Sequence, residues 1–165
     1  MGVKLMSSLS RRPILALGAT AVLSGTWSAW AQEEPRRAER WADLRGLVFG
    51  DRPMEEAGEA ITLTAPYRAL DAGTVPISIA LAPSLVPLVH SISLIIDENP
   101  SPLAAVFRTG PVADLRLVST RIRVDAYTFL HAVAETRDGR LLTAQRFIKA
   151  AGGCSAPMSS DLRAA

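Results

Sequence analysis

A single cysteine, Cys154, is the residue of this 165-residue chain best suited to chemistry. It sits in the run Lys149-Ala150-Ala151-Gly152-Gly153-Cys154-Ser155-Ala156-Pro157. A thiolate is a strong nucleophile and bonds reversibly to sulfur. The two alanines ahead of it add little bulk, and Gly152 and Gly153 leave the backbone free. A thiol on such a thin arm can enter a narrow active site of another protein, with tethering replacing diffusion. The chemistry in view is a carrier's, a group held covalently on Cys154 while separate enzymes act on it. An exposed free thiol is otherwise a liability, because cysteine prefers burial. The same residues also describe a disordered tail with an incidental thiol. One cysteine cannot close an internal disulfide, so an intermolecular one is a third reading. Lys149 is the nearby positive charge, which leaves activation of the thiol to a docked partner.

Other chemical constellations are missing from the sequence. His90 and His131 each fall inside a predicted strand, as surface or half-buried residues, and no H-x-x-x-H or C-x-x-C spacing accompanies them. No metal site is expected. G-x-S-x-G, P-loop and G-x-G-x-x-G patterns do not occur. Asp97-Glu98-Asn99-Pro100 reads as turn chemistry rather than as an acid–base pair. A self-sufficient enzyme is not indicated.

The chain opens on a segment that reads as an export signal. Lys4, Arg11 and Arg12 precede an apolar stretch from Ile14 to Thr26, and Ala29-Trp30-Ala31 supplies a small–x–small cleavage site before Gln32. The paired Arg11-Arg12 has the character of a twin-arginine signal, which exports folded protein. Three of the 18 basic residues and none of the 16 acidic ones lie in residues 1–31, so the mature chain carries a net charge of about −1. The basic balance belongs to the precursor. Without a basic stripe interleaved with aromatics, nucleic acid is not an expected partner. After cleavage no membrane association is expected.

What must position the arm is a domain over residues 41–149, preceded by a loose polar leader at 32–40 and followed by the arm and tail at 150–165. Pro35 can start a helix whose Trp41, Leu44, Leu47 and Val48 form one apolar face, ended by Gly50. The hydrophobic period then changes to two. Alternating runs cover 61–65, 75–81, 92–96, 104–107, 117–124, 127–135 and 141–149, with a tight turn at Asp125-Ala126 and a hairpin signal at Asp138-Gly139. Seven short strands with regularly spaced turns predict an all-β fold, an antiparallel immunoglobulin-like sandwich with a short N-terminal helix and a flexible C-terminal arm. Unpaired sheet edges would call for shielding, and a partner is one means of providing it.

These residues together resemble the SoxY family, the sulfur-carrier subunits of periplasmic thiosulfate oxidation. The likeness is carried by Trp41-x-x-Leu44, Ala65-Pro66, Val75-Pro76, Ile95-Ile96-Asp97-x-Asn99-Pro100 with Phe107 shortly after, Thr120-Arg121-Ile122-Arg123-Val124, and Gly152-Gly153-Cys154. The resemblance implies a periplasmic, non-catalytic carrier that pairs with a SoxZ-like subunit and leaves by the twin-arginine route. It makes Cys154 the carrier of a covalent sulfur adduct, with Gly152 and Gly153 as its lead-in and no other cofactor. The departure lies after the thiol, where Ser155-Ala156-Pro157 replaces the two glycines at which typical members end. Pro157 fixes its own φ and restricts Ala156, so this arm is stiffer beyond Cys154. The Gly-Gly-Cys-Ser-Ala-Pro pattern is similar to SoxYZ-like carriers associated with quinoprotein alcohol dehydrogenases. An accessory binding module for such a dehydrogenase, with Cys154 dispensable, is the alternative function.

Overall fold

Side chains along an extended strand point alternately to opposite faces, so each alternating run has one face to bury. The computed structural model describes the backbone of residues 27–110 and 114–150 and, from Pro35 onward, their side chains. The runs form β2 (Ile61–Thr64), β4 (Val75–Leu81), β5 (Val89–Ile96), β6 (Leu103–Arg108), β7 (Leu117–Ile122), β8 (Thr128–Thr136) and β9 (Leu141–Ala150). All seven predicted strands are present. Two short ones are additional, β1 (Met54–Glu56) and β3 (Arg68–Ala69), and one helix, α1 (Trp27–Phe49), precedes them.

The strands make two sheets. The larger runs β1-β9-β8-β5-β6 with β3 also on β9, and the smaller runs β2-β4-β7. The pairings predicted from alternation are antiparallel, whereas β1 and β3 lie parallel to β9 at its two ends. Three and two residues are too few to show a period, which is why neither was visible in the sequence. Between the sheets, Val75, Ile77, Ile79 and Leu81 of β4 meet Ile92, Leu94 and Ile96 of β5 and Leu130, Ala132 and Ala134 of β8. This is the core of an immunoglobulin-like sandwich.

A second, smaller core lies on the outer face of the larger sheet. There Leu44 and Phe49 of α1, flanked by Trp41 and Val48, pack on Ile95, Val133 and Leu141. Strands β5 and β8 are therefore covered on both faces, and Ile92 through Ile96 are all buried. Leu47, expected on the helix's apolar face, is instead 83% exposed. A helix turns about 100° per residue, which carries Leu47 past the edge of the stripe that Trp41, Leu44 and Val48 define.

The helix also begins earlier than the apolar pattern predicts. The polar run expected as a loose leader is helical backbone, and Pro35 lies inside α1 rather than starting it. Glu, Gln, Arg and Ala are good helix formers whether or not they meet a core, so amphipathicity marks only the docked part. The chain divides into two compact units, Met1–Pro35 and Arg36–Ala165, and the docked residues of α1 belong to the second. At its other end α1 stops where predicted. Gly50 takes a φ of +66°, and its N–H donates to the Gly46 carbonyl at 2.9 Å.

The predicted hairpin joins β8 to β9. Gly139 has a φ of +86°, and the Thr136 N–H donates to the Arg140 carbonyl at 3.0 Å. The Thr136 hydroxyl donates to the Asp138 carboxylate and accepts the Arg140 N–H at 3.0 Å. The bonds from Thr136, then Arg140, hold the Asp138 carboxyl below its ordinary value.

Candidate functional site at the end of the last strand

The hairpin sends β9 back along β8, and the course of β9 decides where the proposed arm starts. Its last residues are tied on both sides. Ile148 pairs with Thr128 of β8, while Lys149 and Ala150 pair with Arg68 and Ala69 of β3. The Lys149 N–H donates to the Tyr67 carbonyl at 2.8 Å. Strand structure thus extends to Ala150, four residues before the thiol. Gly152, Gly153 and Cys154 lie outside the described residues, as do Arg11 and Arg12 of the expected signal.

Strand pleating sorts the side chains at this end. Ala69 and Ala150 turn into the core and are buried, so their neighbours Arg68 and Lys149 share the outer face. The Lys149 ammonium stands 5.3 Å from the Tyr67 ring and 5.9 Å from the Tyr127 ring. Next to it Phe147 packs against Phe129 with ring centroids 5.0 Å apart, and the Arg37 guanidinium lies 4.7 Å over Phe147. Tyr67, Tyr127 and Leu70 are exposed at 51%, 49% and 101%. Of this collar only Lys149 was singled out in the sequence. Its other members come from α1, β3 and the turn before β8, segments that no local pattern connects.

A buried polar pair lies beneath α1. His131 Nε2 is 3.1 Å from Asp97 Oδ2, with both side chains almost completely inaccessible. The Trp41 ring is stacked on the His131 ring at 3.6 Å with an interplanar angle of 1°. Arg40 Nε donates to the Asp97 carbonyl at 2.6 Å. His131 is therefore not the surface or half-buried residue that its strand position predicted, because α1 covers it. His90 is half-buried, as expected. Asp97 also departs from expectation: its carboxylate meets a histidine, and Asn99 performs the turn's bonding. The Asn99 amide donates to the Arg123 carbonyl at 2.8 Å and accepts the Asp125 N–H at 3.0 Å. The pair pins the helix to the sheet and has no open approach for a substrate. Among the described residues no three His, Cys, Asp or Glu side chains gather in a metal-binding group. Nor is any described helix long and apolar enough to cross a membrane.

Three of the motifs that carried the resemblance converge in space. Ala65 and Pro66, Pro76 and Ser78, and Thr120 and Arg121 line one open cleft of about 590 Å³ on the smaller sheet. Pro66 directly precedes Tyr67, so the cleft borders the end of β9.

The family model described as "Sulfur oxidation protein SoxY" matches residues 45–154, two thirds of the chain, and includes Gly152, Gly153 and Cys154. The chain belongs to the SoxY family. Its fold is similar to that of the sulfur carrier protein SoxY from Chlorobium limicola f thiosulfatophilum, at 30% identity and a TM-score of 0.58. That match covers 75% of this chain and 99% of the Chlorobium protein. The superoxide reductase (neelaredoxin) of Ignicoccus hospitalis also matches, at 15% identity and a TM-score of 0.50, over 63% of this chain and 99% of that one. At that identity the likeness is one of fold. No curated protein sequence matches the chain. As a SoxY protein, the chain has its sandwich and the last turn of α1 inside the matched region, with β9 leading to the matched cysteine.

Proposed function

We propose that this chain is a periplasmic sulfur carrier that holds a sulfur-containing group covalently on Cys154 while separate enzymes load and process it. The observation that carries the reading is the SoxY match running through Gly152 and Gly153 to Cys154, four residues beyond a strand tied on both sides. A firm root followed by Ala151-Gly152-Gly153 supplies reach without bulk. Joining the Cys154 sulfur to a sulfur atom of an anion such as thiosulfate forms one S–S bond. It releases the thiol proton and two electrons, which a partner oxidant accepts. The carrier itself needs no catalytic group for this. Arg11-Arg12 and the Ala29-Trp30-Ala31 site support export through the twin-arginine route. A SoxZ-like subunit is the proposed partner, and Ser155-Ala156-Pro157 supports placement in the quinoprotein dehydrogenase-associated branch.

The test is intact mass of the mature protein isolated from its native periplasm without reductant, repeated after reduction. A reducible increment in the wild type that is lost in Cys154→Ser, with an unchanged thermal melt, is the expected result. A bare thiol while the pathway is active would instead favour the accessory module for a dehydrogenase.

A further inference from the structure

We infer that the groove between β2 and β9 is the seat of the chain's own tail, which adds to β9 there as an extended antiparallel strand from Met158 onward. Residues 151–165 lie outside the described residues. The seat is independent of the carrier reading and adds to it a place for the segment after Cys154. The groove exists because the edge of the larger sheet is interrupted. Strand β1 covers β9 only at 141–143, and β3 only at 149–150. Backbone groups of every second strand residue face the same edge. At this edge the Thr143 carbonyl accepts the Ala57 N–H at 2.8 Å, and the Lys149 N–H donates to the Tyr67 carbonyl at 2.8 Å. Gln145 and Phe147, between them, turn their N–H and C=O the same way, and no described strand pairs with them there. On the facing wall the Ala60 carbonyl accepts the Ala82 N–H at 2.9 Å on the β4 side, so Ile61 and Leu63 of β2 point the other way, into the groove. Two open edges thus face each other across about 430 Å³.

An open edge accepts an extended segment as an added strand, and the side chains along it decide which one. Glu56, Glu59 and Arg146 line the groove, are exposed, and make no ion pair or side-chain hydrogen bond among the described residues. Glu56 stands opposite Thr143, so the acidic end of the groove is the end farther from Ala150. A chain that leaves Ala150 and turns back runs antiparallel to β9, and it meets Arg146 first and the glutamates last. Asp161 and Arg163, in that order, are the charged residues after Lys149. In the antiparallel direction each meets its opposite charge. The reach is sufficient. Arg146 lies four residues back from Ala150, about 13 Å along the strand, whereas the seven residues from Ala151 to Pro157 span up to about 25 Å. Pro157 has no N–H to give to a ladder, so the added strand starts at Met158. Seated in this way, the tail draws Cys154 back against the domain, and an enzyme that takes the thiol first displaces the strand.

The test is amide hydrogen exchange of the mature protein, read by NMR at Leu63, Gln145 and Phe147. The full chain is compared with a chain ending at Cys154, with Arg146→Asp, with Asp161→Arg and with the double variant Arg146→Asp/Asp161→Arg. On this proposal the three amides exchange about tenfold more slowly in the full chain than in the shortened one. Either single reversal brings exchange to the level of the shortened chain, and the double variant restores the protection. The Cys154 thiol reacts about tenfold faster with a small disulfide reagent once the tail is removed. Arg146 is exposed and Asp161 lies beyond β9, so both single variants keep the core, which an unchanged thermal melt checks. Equal exchange in the full and shortened chains would overturn the inference and leave the carrier reading untouched. Protection that grows with protein concentration would assign the groove to a second copy, and protection that needs native periplasmic extract would assign it to a partner; either overturns the inference. Protection lost on shortening but not restored by the double variant would overturn the antiparallel seat.

Discussion

Cys154 and Asp97 show how differently two residues of obvious chemical potential are used. Cys154 lies just past the end of β9, in a run without apolar side chains to bury. Asp97 was read as a turn residue, yet its carboxylate faces His131 under Trp41, away from any approach. Its other oxygen, Oδ1, is buried without a hydrogen-bond partner among the described residues. A buried polar atom left unsatisfied costs about 1–3 kcal/mol. Asp97→Ala strands the imidazole as well, and is expected to lower unfolding stability by about 1–3 kcal/mol. Urea denaturation of the mature protein measures this, and the thiol's reactivity toward a small disulfide reagent should not change. A loss of thiol reactivity would mean that the pair communicates with the arm.

Among the elements, α1 is where sequence pattern and structure diverge most usefully. Its docked face is legible in Trp41, Leu44 and Val48, because apolar residues at helical spacing must be buried somewhere. The same spacing admitted Leu47, and only the position of the sheet excludes it. Leu44→Ala should cost about 2 kcal/mol, near the low end of the range for buried leucine because its site is at the rim. Leu47→Ser should stay within about 0.5 kcal/mol. Thermal melts of the two variants check the assignment, and equal losses would contradict it. The strands were legible for a stronger reason. In a half-covered sheet one face repeats every second residue, and β4 follows that alternation across its whole length. Strand β5 does not, because α1 covers the face that solvent would otherwise have.

At the scale of the whole molecule the open edges matter most. The larger sheet ends on β6, and the smaller on β2 and β7. Leu103 and Val106 of β6 and Leu117 of β7 are exposed at 40%, 40% and 61%. Exposed edges of this kind invite pairing unless a partner shields them. The proposed SoxZ-like subunit is therefore expected to co-purify with the mature chain from the native periplasm. Size-exclusion chromatography with mass analysis should show one heterodimer whose SoxY chain begins at Gln32. A lone monomer at native concentration would argue against the partner, and a mass that retains residues 1–31 would argue against the cleavage site.

The sequence by itself determined the seven main strands, the two-sheet class, the Asp138-Gly139 hairpin and the resemblance that points to Cys154. Each is local, a period of two, a glycine with positive φ or a short motif, and local signals survive without knowledge of the partner segment. The tight turn expected at Asp125-Ala126 is instead a crossover between the two sheets. Only the tertiary structure decided that β1 and β3 flank β9, that His131 is sealed under Trp41, and that Arg37, Tyr67, Arg68, Tyr127 and Lys149 share the root of the proposed arm. Those residues lie on segments far apart in the chain, and their meeting depends on how the sheets and helix pack, which no window of neighbouring residues contains.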